Sequence, residues 1–222
     1  MPARPVPRIH AVTSDEVLAR ADFIAVAARV MDALGDRGAV HLRGRLLGGR
    51  ALHALTARLA AAQDSTGCWL VVNDRVDVAL GAGARGAQLT SRSMRVAEAR
   101  RVAPPERLAL GASVHAAADA REAELGGADW CVAGHVFPTV SHPGEPPRGV
   151  EFVRELVASV RMPVVAIGGV LPEHVAALRA AGAHGVAVIR GIWGAANPER
   201  AAADYLSPYD ADAPYGGAGA VG

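Results

Sequence analysis

The chain has 222 residues, 51% of them hydrophobic, and a formal net charge of +1 at pH 7. That length and apolar content suit one domain with a full core, since single (β/α)8 barrels run to roughly 200 to 250 residues. All of the basic charge is arginine, with no lysine and no Lys/Arg block, which excludes a binding stripe for nucleic acid or an anionic membrane.

Short apolar runs alternate with Ala/Leu/Arg-rich stretches along the whole chain. The runs are Arg8–Thr13, Ala39–Leu42, Cys68–Val72, Gly86–Leu89, Leu108–Ser113, Trp130–Ala133, Val164–Ile167 and Gly185–Ile189. The stretches between them have helical spacing. In Ala51–Ala62, for example, Leu52, Leu55 and Leu59 fall at i, i+3 and i+7. Gly126-Gly127 and Gly182 are placed to stop helices. Pro172 can open one as its first residue, and Asn197-Pro198 supplies an N-cap followed by proline.

Eight strand candidates, each followed by a helix candidate, predict an α/β fold with parallel strands and crossovers. A doubly wound open sheet competes with a closed barrel. Eight regular units in about 200 residues favour closure into a single-domain (β/α)8 TIM barrel over residues 1–206. Residues 207–222, with four glycines among the last seven, are expected to form a flexible tail. Cys68 and Cys131 belong to no CxxC pair and sit in or beside apolar runs, so they are expected to be buried thiols. The N-terminus carries no continuous apolar stretch, and no segment approaches the ~20 apolar residues of a membrane span. A cytoplasmic protein with no membrane partner is expected.

In such a barrel the chemistry sits where strands run into βα loops. Polar residues recur there: Arg43 and Arg45 after the second strand, Asn73-Asp74 after the third, and Gln88 and Thr90 at the fourth. Ser113 and His115 mark the fifth, His135 and Thr139 the sixth, Gly168-Gly169 the seventh, and Arg190-Gly191 the eighth. The opposite strand ends are plainer. The loops after strands 7 and 8 are the recurrent phosphate site of this fold, because glycines let an anion approach bare backbone N–H groups. Arg190 adds a cation. Arg43 and Arg45, two apart on an extended segment, would share a face and could grip a second anion such as a carboxylate.

His135 is placed for proton transfer near neutral pH, with His115 and His142 as weaker candidates. Asp74 could bind Mg2+, but a hard cation wants more oxygen ligands. The fourth loop offers Thr90, Ser91, Arg92 and Ser93, with no carboxylate.

Taken together, VNDRVDVALGAGARGAQL, GASVH, GHVFPT, PVVAIGGVLPEHV and GVAVIRGIWG resemble the thiamin phosphate synthase/TenI superfamily, over about Arg8 to Leu206. That superfamily contains two chemistries. In the synthase, a pyrophosphate substrate is held through Mg2+ by an aspartate of an N-D-R motif and another of an H-L-G-Q-E-D-like motif. The first is kept here as Asp74. The second becomes Gln88-Leu89-Thr90-Ser91-Arg92-Ser93, with Ser93 in the carboxylate's place. The synthase's Q-L-R-E-K appears as His41-Leu42-Arg43-Gly44-Arg45, and its G-P-I-F-P-T-P-T-K loop loses the lysine.

Those same positions resemble the TenI branch, with its H-I-R-x-R, S-V-H and G-H-V-F-x-T motifs, which includes the thiazole tautomerase of thiamin biosynthesis. That resemblance implies aromatisation of a 2-carboxy-thiazolidene ethyl phosphate by metal-free proton transfer, with no cofactor. His135 would be the catalytic acid/base. Arg43, Arg45, Asn73, Ser113, Thr139, Gly168, Gly169, Arg190 and Gly191 would bind the small phosphorylated thiazole substrate. The retained Asn73-Asp74 is closer to the synthase. Synthase activity and a non-catalytic phosphate-binding regulatory barrel are the alternatives. The sequence leaves oligomeric state open and is compatible with a homo-oligomer.

Overall fold

The structure, a computed structural model, describes residues 5–141 and 143–210. The candidate His142 and residues 211–222 of the expected tail lie outside the described residues. Strand β1 (Ile9–Val12) leads into the short helix α1 (Asp15–Leu18), capped by the Ser14 side chain, and then α2 (Phe23–Leu34). Next come β2 (Gly38–Leu42), α3 (Gly49–Thr66), β3 (Trp69–Asn73) and α4 (Val76–Gly81). The alternation continues through β4 (Gly86–Leu89), α5 (Val96–Val102), β5 (Ala109–Val114), α6 (Ala117–Leu125) and β6 (Trp130–Gly134). The last third holds α7 (Gly149–Ser159), β7 (Val164–Ile167), α8 (Val175–Ala180), β8 (Gly185–Val188), α9 (Arg190–Trp193) and α10 (Pro198–Asp210).

Each strand pairs in parallel with the next, and β8 pairs with β1, so the sheet closes as an eight-stranded barrel. Closure leaves no edge strand to satisfy. The open-sheet alternative is thereby excluded. Helix stops fall where glycine was expected: Gly127 and Gly182 adopt left-handed φ of 91°. Asn197 Oδ1 accepts from the Arg200 amide at 2.8 Å and caps α10. Pro172 opens a 3-10 turn, Pro172–His174, and the α-helix proper starts only at Val175. The last helix continues to Asp210 instead of ending near Leu206. Tyr205 and Leu206 are buried in it, and residues 207–210 are helical.

Period-2 alternation in the strands divides the core into two compartments. Leu42, Leu70, Val72, Leu89, Leu110 and Val186 point out against the helices, together with the free and buried Cys131. The barrel interior holds a separate cluster that includes Val12, Trp69, Val71, Trp130, Val132 and Val165. Trp130 is fully buried and packs edge-on to Trp69, with ring centroids 6.2 Å apart. Glycine makes room for it on the neighbouring strands. A Cβ on Gly111 would stand 2.2 Å from the indole, and one on Gly86 would stand 3.1 Å away.

The interior also contains a histidine pair that sequence reasoning did not single out. His10 and His41 are each 1% exposed, and His10 Nδ1 lies 2.8 Å from His41 Nε2. His10 Nε2 faces the Pro7 carbonyl oxygen at 3.1 Å. A neutral His10 therefore donates from Nε2 and accepts from the His41 N–H at Nδ1. Burial pushes His10 down to about 4, against the pull of the Pro7 carbonyl, with the His184 charge adding to the fall. Burial likewise holds His41 well below its ordinary value, helped by His10.

Two outcomes follow from this interior. Gly111→Ala should lower stability by about 1–3 kcal/mol through overpacking against Trp130, read as a fall in the thermal midpoint by circular dichroism; an unchanged midpoint would contradict the packing described. Because His10 resists protonation only when folded, its contribution to stability is present above about pH 6.5 and disappears as pH falls toward 4. Urea unfolding at pH 7 and at pH 4.5 should differ by about 3 kcal/mol or less from this group alone, and His10→Gln should flatten that dependence.

Candidate functional site

All the residues expected to bind ligand line one cavity of about 730 Å3 at the C-terminal mouth of the barrel. It is bounded by Arg43 and Arg45 after β2, Asn73 and Asp74 at β3, Ser113 at β5, and His135 and Thr139 after β6. Gly168 and Gly169 after β7, with Arg190 and Gly191 after β8, close the ring. His115 also reaches it. His41, Gln88 and Arg92 join the lining from the same strands and loops.

The β7 side is built by close approach of backbones. Val136 and Phe137 donate their amides to the carbonyls of Ile167 and Gly168, both at 2.9 Å, so the loop after β6 lies directly on the loop after β7. Gly168 and Gly169 carry φ of 101° and 64°. A Cβ on Gly168 would meet His135 Cβ at 2.3 Å, and one on Gly169 would meet the Pro138 oxygen at 2.4 Å. Both glycines are thus required by turn geometry and by packing, and their amides find no carbonyl partner in the loops among the described residues. Amides left bare in this way suit an oxyanion.

Tyr205 of α10 supports this side from beneath and was not anticipated. Its hydroxyl donates to the Val170 carbonyl oxygen at 3.0 Å, and it occupies the space where a Cβ on Gly191 would fall, 2.2 Å away. Burial pushes its hydroxyl up to about 12, which keeps it a donor.

The floor is amphipathic. Val12, Val132, Ile167 and Ala187 give an apolar wall, while His41, Asn73, Gln88 and Ser113 give a polar one. Trp130 Nε1 donates to Gln88 Oε1 at 2.9 Å, and Gln88 Nε2 donates to Ser113 Oγ at 3.2 Å. That chain fixes which way the Gln88 amide points. Asn73 Oδ1 is buried beside His41, whose charged form the Asn73 side chain favours, and it can accept from a ligand donor. His135 is 7% exposed, and its Nε2 lies 3.4 Å from the Glu145 carbonyl oxygen.

The β2–β4 side is dominated by arginine. Arg43, Arg45 and Arg92 line it, and their guanidiniums make no hydrogen bond or ion pair among the described residues. Arg43 is held below its ordinary value by burial first and by the Arg45 charge next. Asp74 and Asp15 pull the other way, and Arg92 adds to the fall. Asp15 is committed to the backbone, accepting the amides of Arg45 and Leu46 at 2.8 and 2.9 Å.

Asp74 is the single carboxylate lining the cavity among the described residues. It sits at φ 64°, its amide donates to the Gln88 carbonyl oxygen, and its Oδ1 accepts from both Thr90 Oγ1 and Ser93 Oγ. The described residues contain no group of three His, Cys, Asp or Glu that could hold a metal ion. One carboxylate already tied to two hydroxyls, facing guanidiniums, does not fit a Mg2+ site built on paired carboxylates.

With this geometry in hand, comparison with known proteins bears on the chemistry. Residues 9–192 match the family model described as thiamine monophosphate synthase. A thiamine-phosphate synthase of Methanoculleus marisnigri is 39% identical over 184 residues, covering 82% of this chain and 86% of that one. One of Gloeobacter violaceus is 39% identical over 167 residues, covering 75% of this chain; the matched part spans about half, 49%, of that relative. The solved structure of thiamine phosphate pyrophosphorylase from Pyrococcus furiosus superposes with a TM-score of 0.80 at 31% identity, covering 92% of this chain and 96% of that one. No described helix is long and apolar enough to cross a membrane.

These relatives overturn the expected thiazole tautomerase. The expectation gave decisive weight to the missing second carboxylate and to His135. The cavity instead shows three guanidiniums beside one carboxylate, the retained Asp74, on the β2–β4 side, more positive charge than a single bound carboxylate needs. The likeness to synthases extends over most of the chain. The chain belongs to the thiamine monophosphate synthase family.

Proposed function

We propose that this protein is a thiamine-phosphate synthase, joining a thiazole phosphate to a pyrimidine carried as its diphosphate ester. The observation that carries this is the presence of two anion-binding poles facing each other across one cavity. In an eight-stranded barrel β3 lies opposite β7. The bare amides of Gly168 and Gly169 with Arg190 therefore stand across the mouth from Arg43, Arg45 and Arg92. A ligand with a single anionic group would need only the first pole.

The coupling forms one C–N bond, from the thiazole nitrogen to the pyrimidine's methylene carbon, and breaks the C–O bond to the diphosphate. The diphosphate departs with the electron pair. In this reading the β7–β8 pole binds the thiazole phosphate, with Thr139 and Gly191 at its rim. The amphipathic floor receives the pyrimidine ring. Asn73 Oδ1 and Ser113 Oγ supply acceptors for an exocyclic amine, and Val132 and Ile167 pack against ring faces. The arginine pole attracts the diphosphate and stabilises the negative charge that develops on it as the bond breaks.

Holding both reactants in one cavity supplies most of the remaining advantage, by making their encounter intramolecular in effect. His135 has no proton to move in this reaction; its part is to shape the thiazole side through its contact with Gly168. No step here is routed through a metal.

Purified protein given thiazole phosphate and pyrimidine diphosphate, with magnesium chloride present, should release pyrophosphate and form thiamine phosphate, detected by fluorescence after oxidation to the thiochrome. Absence of both products would sink the proposal. Arg190→Ala should raise KM for the thiazole phosphate about tenfold, the scale of one charged hydrogen bond, and leave KM for the diphosphate ester unchanged. Equal effects on both substrates would contradict the assignment of poles.

A further inference from the structure

Resting on that reading, we infer that Arg92, with Arg43 and Arg45, does the work of a cation at the diphosphate, so that this protein holds pyrophosphate without a divalent metal. The loop after β4 carries the evidence. It turns back on itself, with the Thr90 amide donating to Ser93 Oγ at 2.9 Å and the Arg92 amide directed to Thr90 Oγ1 at 3.4 Å. This turn brings both hydroxyls onto Asp74 Oδ1 and leaves the Arg92 side chain at the cavity, exposed and without an internal partner among the described residues.

The charges decide the matter. A second carboxylate at position 93 would stand against Asp74, and two like charges in hydrogen-bond range demand a cation between them. A hydroxyl there makes no such demand. It donates to Asp74, and the Thr90 hydroxyl meets the same oxygen, so Oδ1 of Asp74 is occupied without a metal. Three guanidiniums then face one carboxylate, a net positive pole matched to a diphosphate. A guanidinium presents a planar fork of N–H donors to phosphate oxygens and stays charged at any working pH. The clamp takes part in no bond making: the leaving diphosphate carries its electron pair away, and the arginines neutralise it.

The test is titration calorimetry with inorganic pyrophosphate, in EDTA and then in magnesium chloride, beside the coupling assay. Binding to the unaltered protein in EDTA is expected, with little tightening on adding magnesium. Arg92→Ser should weaken that metal-free binding about tenfold or more, the scale of losing one charge-assisted contact. The double variant Arg92→Glu with Ser93→Asp should bind pyrophosphate only when magnesium is present. Circular dichroism on each variant shows that the fold is kept.

Pyrophosphate binding by the unaltered protein that requires magnesium would overturn the inference, and so would metal-free binding indifferent to Arg92→Ser. Neither result touches the coupling activity. A protein that binds pyrophosphate in EDTA through Arg92 but joins no substrates under any condition would keep the clamp and refute the synthase reading.

Discussion

The Trp130 indole packs inside the barrel where β4 and β5 present glycine, and its N–H donates to the side-chain Oε1 of Gln88. Trp69, Val71 and Val165 share its interior cluster. Above it the strand ends are free to form a cavity. Filling the lower barrel with one large side chain costs two neighbouring positions their Cβ atoms, since native packing leaves no space for both. It also fixes the Gln88 amide, which then orders Ser113. The floor of the site is consequently an extension of the core and inherits its rigidity.

On that floor the polar groups are confined to the β1–β5 half and the apolar ones mostly to the β6–β8 half. Neutral histidines suit this arrangement. A charged His10 or His41 beneath the arginine pole would add to positive charge that already exceeds the one carboxylate beside it, and burial prevents it. Asp74 offsets part of the guanidinium charge above, and an arriving anion would offset the rest. Arg43 is half-buried and acts on a bound ligand more strongly than the exposed Arg45 and Arg92, which solvent screens. Opposite them, the β7 loop uses backbone donors that need no side chain, propped from beneath by Tyr205.

Confusion between two chemistries of one superfamily had a physical origin. The substitutions at Arg92 and Ser93 remove a carboxylate, and a missing carboxylate reads in one dimension as a missing activity. In three dimensions the same substitutions satisfy Asp74 with hydroxyls and add a cation beside Arg43. The loss and the gain concern one locus, and only their proximity shows that they compensate.

Strand and helix order, barrel closure and the ring of polar strand ends were all readable from residue pattern. Apolar period, glycine stops and the Asn197-Pro198 cap are local properties of the chain. For the same reason His135, the arginines at 43 and 45, and the glycine loops could be named as candidates before any fold was known. The extra turn of α10 to Asp210 was missed because glycine-rich sequence nearby drew the boundary too early, while the burial of Tyr205 and Leu206 that holds the helix is tertiary. The pairing of His10 with His41, the support of Val170 by Tyr205, and the capture of Asp74 by Thr90 and Ser93 were equally invisible. Each joins residues from different βα units, and only closure of the barrel decides which of them meet.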